Sequence, residues 1–110
     1  MTTPPLRKRQ MASGAFPAMV SRKCWIAAAR WYRHALGLQP RHPTAAFNLG
    51  TALEDLGQRS EAIAAYQRAV EADDRFADAH FNLARLYEGA GRRAAALRHL
   101  RAYQQLTQSR

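Results

Sequence analysis

A pattern of residues that recurs after 34 positions limits the fold of this chain more than any other feature of its sequence. Each copy holds two helical patterns, and a glycine separates the first pattern from the second. Self-similarity of this length is typical of stacked helix hairpins, in which each hairpin buries its apolar face against its neighbours. The matched pairs are Phe47 and Phe81, Asn48 and Asn82, Leu49 and Leu83, Gly57 and Gly91, Ala62 and Ala96, Ile63 and Leu97, and Tyr66 and Leu100.

This pattern resembles the tetratricopeptide repeat, whose units carry small residues and aromatics at fixed places in two helices, A and B. The first copy supplies Asn48-Leu49-Gly50, Leu53, Gly57, Glu61-Ala62-Ile63, Tyr66 and Ala69, with Asp74 in place of the usual proline. The second copy is looser, with Ala84 for the helix-A glycine, Leu100 for the helix-B aromatic and Tyr103 for a small alanine. The resemblance implies an all-α fold, a short right-handed α-solenoid of antiparallel helix hairpins.

Reading backward by the same period extends the resemblance to about two and a half units. Ala28, Tyr32, Ala35 and Pro40 fall where helix B of a preceding repeat would lie. We therefore expect a basic, proline-containing tail at 1–21, helix B of a degenerate first repeat at 22–38, one repeat at 43–76 and a second at 77–107. Pro17 opposes a helix A within the tail, although packing of Phe16, Met19 and Val20 on the first helix stays open.

Helix boundaries follow from proline, glycine and acidic residues. Pro43 suits the first turn of a helix, because its missing N–H needs no partner there. Gly37 is expected to end its helix in the left-handed conformation, and Gly57 and Gly91 are expected to close the helices that precede them. Asp73 and Asp74 are placed to cap the next helix or to stabilise its N-terminus electrostatically.

Composition favours one small domain in a reducing compartment, for which the cytoplasm is the simplest prediction. The lone Cys24 excludes an internal disulfide, and no run of apolar residues is long enough to cross a membrane. A signal peptide is disfavoured, because Ser13, Gly14 and Pro17 interrupt the apolar stretch after the first basic cluster.

The positive charge lies almost entirely in the first half of the chain. Eight lysines and arginines and no acidic residue precede Glu54, whereas the rest of the chain is nearly balanced. Electrostatic binding of nucleic acid or of an anionic surface is therefore an alternative function, against the simpler interpretation of a solvated face. Its candidate residues are Arg22, Lys23, Arg30, Arg33 and Arg41.

The resemblance also implies a binding site, because the A helices of the family line a concave groove. Asn48 and Asn82 would hydrogen-bond the backbone of a bound peptide, since an amide both donates and accepts, and Phe47 and Phe81 would add apolar contact. The alternative is that the asparagines face water and both rings pack between repeats. The predicted groove residues are Thr44, Phe47, Asn48, Thr51, Asp55, Asp78, Phe81, Asn82 and Arg85, with Gly89 beside them.

No catalytic, cofactor or metal site is predicted. The four histidines have no ligand spacing, the sequence has no phosphate loop or nucleophile turn, and Glu54 with Asp55 is best explained by solvation. Some family members bind the C-terminal tails of chaperones with lysine and arginine residues at defined positions of the A helices. That clamp is absent here, because Thr44, Phe47, Asp78 and Phe81 occupy those positions. The chain is predicted not to be an enzyme.

The last helix presents an apolar side that needs an explanation. This apolar side could be small, could be covered by the N-terminal tail, or could be buried against another chain. The sequence thus predicts a scaffold that binds a peptide or partner subunit in its groove, within a homo-oligomer or with a permanent partner that covers the last helix.

Overall fold

Five α-helices follow one another within residues 21–108, the part of the chain that the computed structural model describes. They are α1 (Arg22–Leu38), α2 (Pro43–Asp55), α3 (Arg59–Ala72), α4 (Ala77–Gly89) and α5 (Arg93–Gln108). Each helix packs against the next one along the chain. The all-α prediction is confirmed, and the expected tail lies outside the described residues except for Ser21. None of the five helices has the length and apolar character that a membrane span requires.

Two glycines end the A helices in the same way. Gly57 follows α2 with φ +83° and Gly91 follows α4 with φ +80°. In each case the next residue donates its N–H to the carbonyl five positions back, Gln58 to Leu53 and Arg92 to Tyr87, both at 2.9 Å. This is the Schellman arrangement, and it gives both hairpins the same turn.

Other boundaries differ from the expectation. Gly37 has no positive φ and lies inside α1, which continues to Leu38. Asp73 accepts a hydrogen bond from the N–H of Arg75 at 3.0 Å and so closes the turn before α4, whereas the N-cap of α4 is Phe76 with no side-chain cap. The prediction for Gly37, and that of an aspartate side chain capping α4, were therefore wrong. Pro43 does begin α2, and the His42 Nδ1 atom caps it by accepting from Ala45 N at 3.1 Å.

The core is built mostly from alanine, with few large side chains. Tyr66, Leu53 and Leu83 are its largest fully buried members. Small side chains let helix axes approach closely, so the helices pack tightly although each buries little apolar area. The buried alanines are Ala29, Ala45, Ala46, Ala52, Ala62, Ala65, Ala69, Ala79, Ala84, Ala95 and Ala96.

Polar contacts also join helices that are not consecutive. Arg33 of α1 pairs with Glu61 of α3 at 3.3 Å. The loop before α2 is held to α3, because Arg41 donates to the carbonyl of Glu71 and Arg68 donates to the carbonyl of Pro40. These contacts fix α1 on the first hairpin.

α2 and α3 come close together at Gly50. A Cβ atom built there would lie 2.7 Å from the ring of Tyr66, which is only 1% exposed. The second hairpin has Ala84 and Leu100 at these two positions. The two departures from the repeat pattern are thus correlated, since a leucine leaves the room that a tyrosine ring fills.

We therefore expect Gly50→Ala to destabilise the chain. Overpacking against Tyr66 costs about 1–3 kcal/mol, partly offset by about 1 kcal/mol that alanine gains over glycine in a helix. In a Tyr66→Leu background the same substitution should be neutral or stabilising. Urea unfolding of the two single variants and the double variant measures the coupling, and equal effects of Gly50→Ala in both backgrounds would contradict this account.

Candidate functional site

The predicted groove residues of α2 share one face of that helix. Thr44, Asn48, Thr51 and Asp55 recur at steps of four, three and four residues, which is the spacing of a helical face. Thr44 and Asp55 are exposed, whereas Asn48 and Thr51 are half-buried. Burial and the nearby charge of Glu54 raise the pKa of Asp55 above its usual value.

Asn48 is the residue of this face best placed to bind a ligand. Its side chain is half-buried, and no other side chain or backbone group of the described residues hydrogen-bonds to it. An amide in this position has two N–H donors and a carbonyl acceptor available. It can therefore bond a peptide backbone without first breaking a contact within residues 21–108.

The corresponding face of α4 is more open. Asp78, Phe81, Arg85 and Gly89 are exposed, and Asn82 is half-buried. The Oδ1 atom of Asn82 lies 3.5 Å from the Nη2 of Arg85, at the limit of a hydrogen bond. Asn82 is thus only weakly engaged.

A network of polar side chains joins the two faces. Arg85 of α4 forms two parallel bonds to the carboxylate of Glu54 in α2, Nη1 to Oε2 at 2.6 Å and Nη2 to Oε1 at 3.0 Å. The hydroxyl of Tyr66 donates to the same carboxylate at 3.1 Å. Paired bonds of this kind are stronger and more directional than single ones. They fix the separation of α2 and α4.

The same network affects the protonation and the hydrogen bonding of its members. Burial raises the pKa of Tyr66 to about 12, so it stays a neutral donor. The hydrogen bonds to Glu54 raise the pKa of Arg85. The Thr51 hydroxyl lies 3.3 Å from that of Tyr66 and donates to the Phe47 carbonyl, so this predicted groove residue is already engaged.

Glu54 is the residue of this surface that the sequence interpretation missed. The structure corrects its assignment to simple solvation, because the side chain accepts from Tyr66 and Arg85. A signal was present in the sequence. Glu54 and Arg85 are 31 residues apart, which is three fewer than the 34-residue repeat. Because three residues are close to one helical turn, the two opposite charges fall on matching faces of neighbouring A helices.

The two phenylalanines of the predicted groove have different environments. Phe47 is half-buried, and its ring centroid lies 5.0 Å from that of Phe76 and 5.4 Å from that of Tyr66. It packs between the repeats and offers a ligand only a small exposed part. Phe81 is 43% exposed and touches Tyr103, with centroids 5.1 Å apart.

The candidate residues for anion binding divide into two groups. Arg22, Lys23 and Arg30 are exposed, with no acidic partner among the described residues. Arg33 and Arg41 are both engaged, Arg33 by Glu61 and Arg41 by a backbone carbonyl. The exposed Trp31, whose side chain is 69% exposed, lines a shallow depression with Ala27 and Arg30.

Two histidines meet between α4 and α5. The Nδ1 atoms of His80 and His99 are 3.0 Å apart, and the Nε2 of His80 lies 2.9 Å from the carbonyl of Asp74. That carbonyl can only accept, so His80 carries its proton on Nε2 and accepts on Nδ1 from His99. The described residues include no group of three or more potential metal ligands.

This pair makes stability sensitive to acid. Burial lowers the pKa of His99, as do the charges of His80 and Arg98. The folded chain therefore holds fewer protons than the unfolded chain once the pH falls below about 6.5, the pKa of a free histidine. We expect the melting temperature to fall between about pH 7 and about pH 5, and less so in His99→Gln. An equal fall in both proteins, followed by circular dichroism, would contradict this assignment.

Together the stacked hairpins and the repeated glycine turns define a helical-repeat protein. The tetratricopeptide repeat family model matches residues 25–74 and 47–110, which together cover most of the chain. The chain belongs to the tetratricopeptide repeat family, so the predicted helical-repeat solenoid is confirmed. Repeats of this kind are protein–protein interaction scaffolds.

Solved structures of MamA have the same fold. MamA MSR-1 is 26% identical in sequence, with a TM-score of 0.70 over 80% of this chain and 50% of that one. MamA AMB-1 is 28% identical, with a TM-score of 0.69 over 77% of this chain and 49% of that one. The chain thus spans about half the length of these relatives. No curated protein matches it significantly in sequence.

Proposed function

We propose that this chain binds a segment of a partner protein on the surface formed by α2 and α4. The observation that carries the proposal is the half-buried amide of Asn48, which has no partner among the described residues. Asn82 stands at the same place one repeat later, with only a long contact to Arg85. Two equivalent amides on neighbouring helices suit a ligand that runs across both repeats.

The polar network supports this role by making the surface rigid before a ligand arrives. Glu54 and Arg85 satisfy each other, and Tyr66 holds Glu54 from the core. A surface whose spacing is fixed in advance loses less conformational freedom on binding. The exposed part of the Phe81 ring would then contribute apolar contact.

The charges of this surface indicate the kind of segment it would bind. Glu54 neutralises Arg85, which leaves the carboxyl groups of Asp55 and Asp78 exposed. The surface is therefore acidic, although the whole chain carries a net charge of +9. A segment with basic side chains beside its main-chain contacts would be complementary.

We expect Asn48→Ala with Asn82→Ala to weaken partner capture about tenfold while leaving the melting temperature nearly unchanged. Each lost hydrogen bond is worth about 0.5–1.5 kcal/mol, and two together reach about a factor of ten. The measurement is an affinity pull-down at moderate salt followed by titration with the captured segment. Gln105→Ala, the loss of an exposed amide on α5, is the matched control, and unchanged affinity in the double variant would remove this surface from the account.

We infer a second candidate function from the exposed face of α1, where Arg30 lies beside Trp31 and no acidic residue occurs in the helix. Cations with an exposed aromatic ring suit single-stranded nucleic acid, since the cations contact phosphates and the ring can stack on a base.

For this second candidate, replacing Arg22, Lys23 and Arg30 by glutamine should reduce both the affinity for single-stranded RNA and its salt dependence. Each lost phosphate contact lowers the slope of log K against log salt by about 0.7. Trp31→Ala should lower affinity with the slope retained. If the unmodified chain does not bind at low salt in a fluorescence anisotropy titration, this second function is excluded.

A further inference from the structure

A groove of about 240 Å³ lies between α1 and α3. Leu49 and Leu53 of α2 are at its base, since they are only 5% and 2% exposed. Ala64 and Ala65 of α3 complete its apolar part. None of the residues that line this α1–α3 groove belongs to the α2–α4 surface, and the helices that form it are internal to the described residues.

The same positions one repeat later are filled by two rings. The corresponding pairs are Leu49 and Leu83, Leu53 and Tyr87, and Ala65 and His99. The rings of Tyr87 and His99 stack with centroids 5.7 Å apart and 16° between their planes. Smaller side chains stand in their places between α1 and α3, so the space that the two rings fill in the second hairpin stays open in the first.

The polar edge of the groove is positive. Arg33 pairs with Glu61 at 3.3 Å, so the carboxylate in the lining already has a cation. Arg68 donates to the carbonyl of Pro40 at 3.2 Å and forms no ion pair within residues 21–108. The lining therefore holds two arginines against one carboxylate, which favours a ligand with negative charge.

We propose that the α1–α3 groove binds an aromatic side chain of a partner protein, flanked in that protein by acidic residues. The ring would lie on the leucines at the base, where the second hairpin supplies rings of its own. Arginine beside a ring is a favourable contact, and the chain already makes one, with Arg92 5.4 Å from the centroid of Tyr87. A flanking carboxylate would pair with Arg68.

Segments of this chain satisfy these requirements less well. Residues 1–20 contain one aromatic residue, Phe16, and no acid, so they would bring Arg7, Lys8 and Arg9 toward a positive groove. In a second copy, the exposed Trp31 lies in a helix without any acid. The exposed Phe81 already contacts Tyr103. An acidic segment of a different protein is the better complement.

The probe is a fluorescein-labelled pentapeptide, Glu-Asp-Trp-Asp-Glu, titrated against the full chain and followed by fluorescence anisotropy. We expect it to bind. Replacing its tryptophan by alanine should lower the affinity about tenfold or more, because the apolar area of the ring is lost. Replacing its four acids by lysine should lower the affinity by a similar factor, and added salt should weaken binding of the acidic peptide.

Variants of the chain locate the site. Leu53→Tyr with Ala65→His copies the second hairpin and should reduce binding about tenfold or more by filling the groove. Because Leu53 is fully buried, Ala64→Trp at an exposed lining position is a second filling variant, and the same loss is expected. Arg68→Glu should reduce binding about fivefold. Arg59→Glu, the same charge change on α3 outside the groove, is the matched control and should have little effect.

Several results would overturn the proposal. Absence of binding, or equal binding of the tryptophan and alanine peptides, would remove the aromatic ligand. Unchanged affinity in Ala64→Trp, with helical circular dichroism retained, would remove the groove. A dimer that Ala64→Trp dissociates, seen by sedimentation, would make a second copy the occupant. Binding that appears only after deletion of residues 1–20 would make that segment the occupant.

The α1–α3 groove and the α2–α4 surface can be tested independently. The Asn48→Ala, Asn82→Ala double variant should bind the acidic peptide normally. Ala64→Trp should in turn leave binding of the segment captured by the α2–α4 surface unchanged. Failure of one site and failure of the other therefore give different patterns.

Discussion

The ring of Tyr66 against Gly50 is the contact on which the rest of the first hairpin depends. Because Gly50 has no Cβ, the ring can lie directly on the backbone of α2. This places the phenol hydroxyl at the edge of the core, within 3.1 Å of Glu54. Glu54 then holds Arg85 of the next hairpin. A packing contact in the core is thus continuous with the polar network that sets the distance between α2 and α4.

The second hairpin lacks this device, and the difference has consequences at the surface. Leu100 has no hydroxyl, so Glu88, which corresponds to Glu54, has no equivalent of Tyr66 beneath it and is exposed. Together with Phe81, Leu97 and Leu100 it lines an apolar groove. α4 packs on the first hairpin and covers these positions. In the second hairpin the corresponding side chains Phe81 and Leu97 stay exposed within the described residues. The loose match of the second copy to the repeat pattern therefore reflects a different surface as well as a different core.

The sequence predicted most of the fold because two kinds of signal agreed. The 34-residue period specified the hairpins, and glycine specified two of the turns. Gly37 was misjudged because a glycine near a helix end does not by itself require a positive φ. The repeat distinguishes it from Gly57, which recurs as Gly91, since Glu71 stands 34 residues after Gly37. Asp73 was misjudged because an aspartate can close a turn by bonding an N–H two residues ahead as readily as it can cap a helix.

The candidate site was less predictable, because its properties depend on contacts between residues that are distant in sequence. Helical spacing placed Asn48 and Asn82 on matching faces. It could not separate Phe47, which packs between repeats, from Phe81, which is 43% exposed and contacts only Tyr103 among the aromatic rings of the described residues. That difference arises because Phe76 precedes α4 and covers Phe47, while the described residues contain no third hairpin to cover Phe81. Position in the array, rather than residue type, decides which copy of a repeated side chain is exposed.

The same dependence on position explains why charge is distributed as it is. A solenoid exposes apolar surface at both ends of its stack, and such ends can associate into open chains of copies. Here the first and the last described helix both carry only cations among their charged residues. End-to-end contact between copies would therefore bring like charges together with apolar surface. A contact between α1 of one copy and α5 of another would have to overcome this repulsion, so the charges of these two helices select against that pairing even where the apolar surfaces fit.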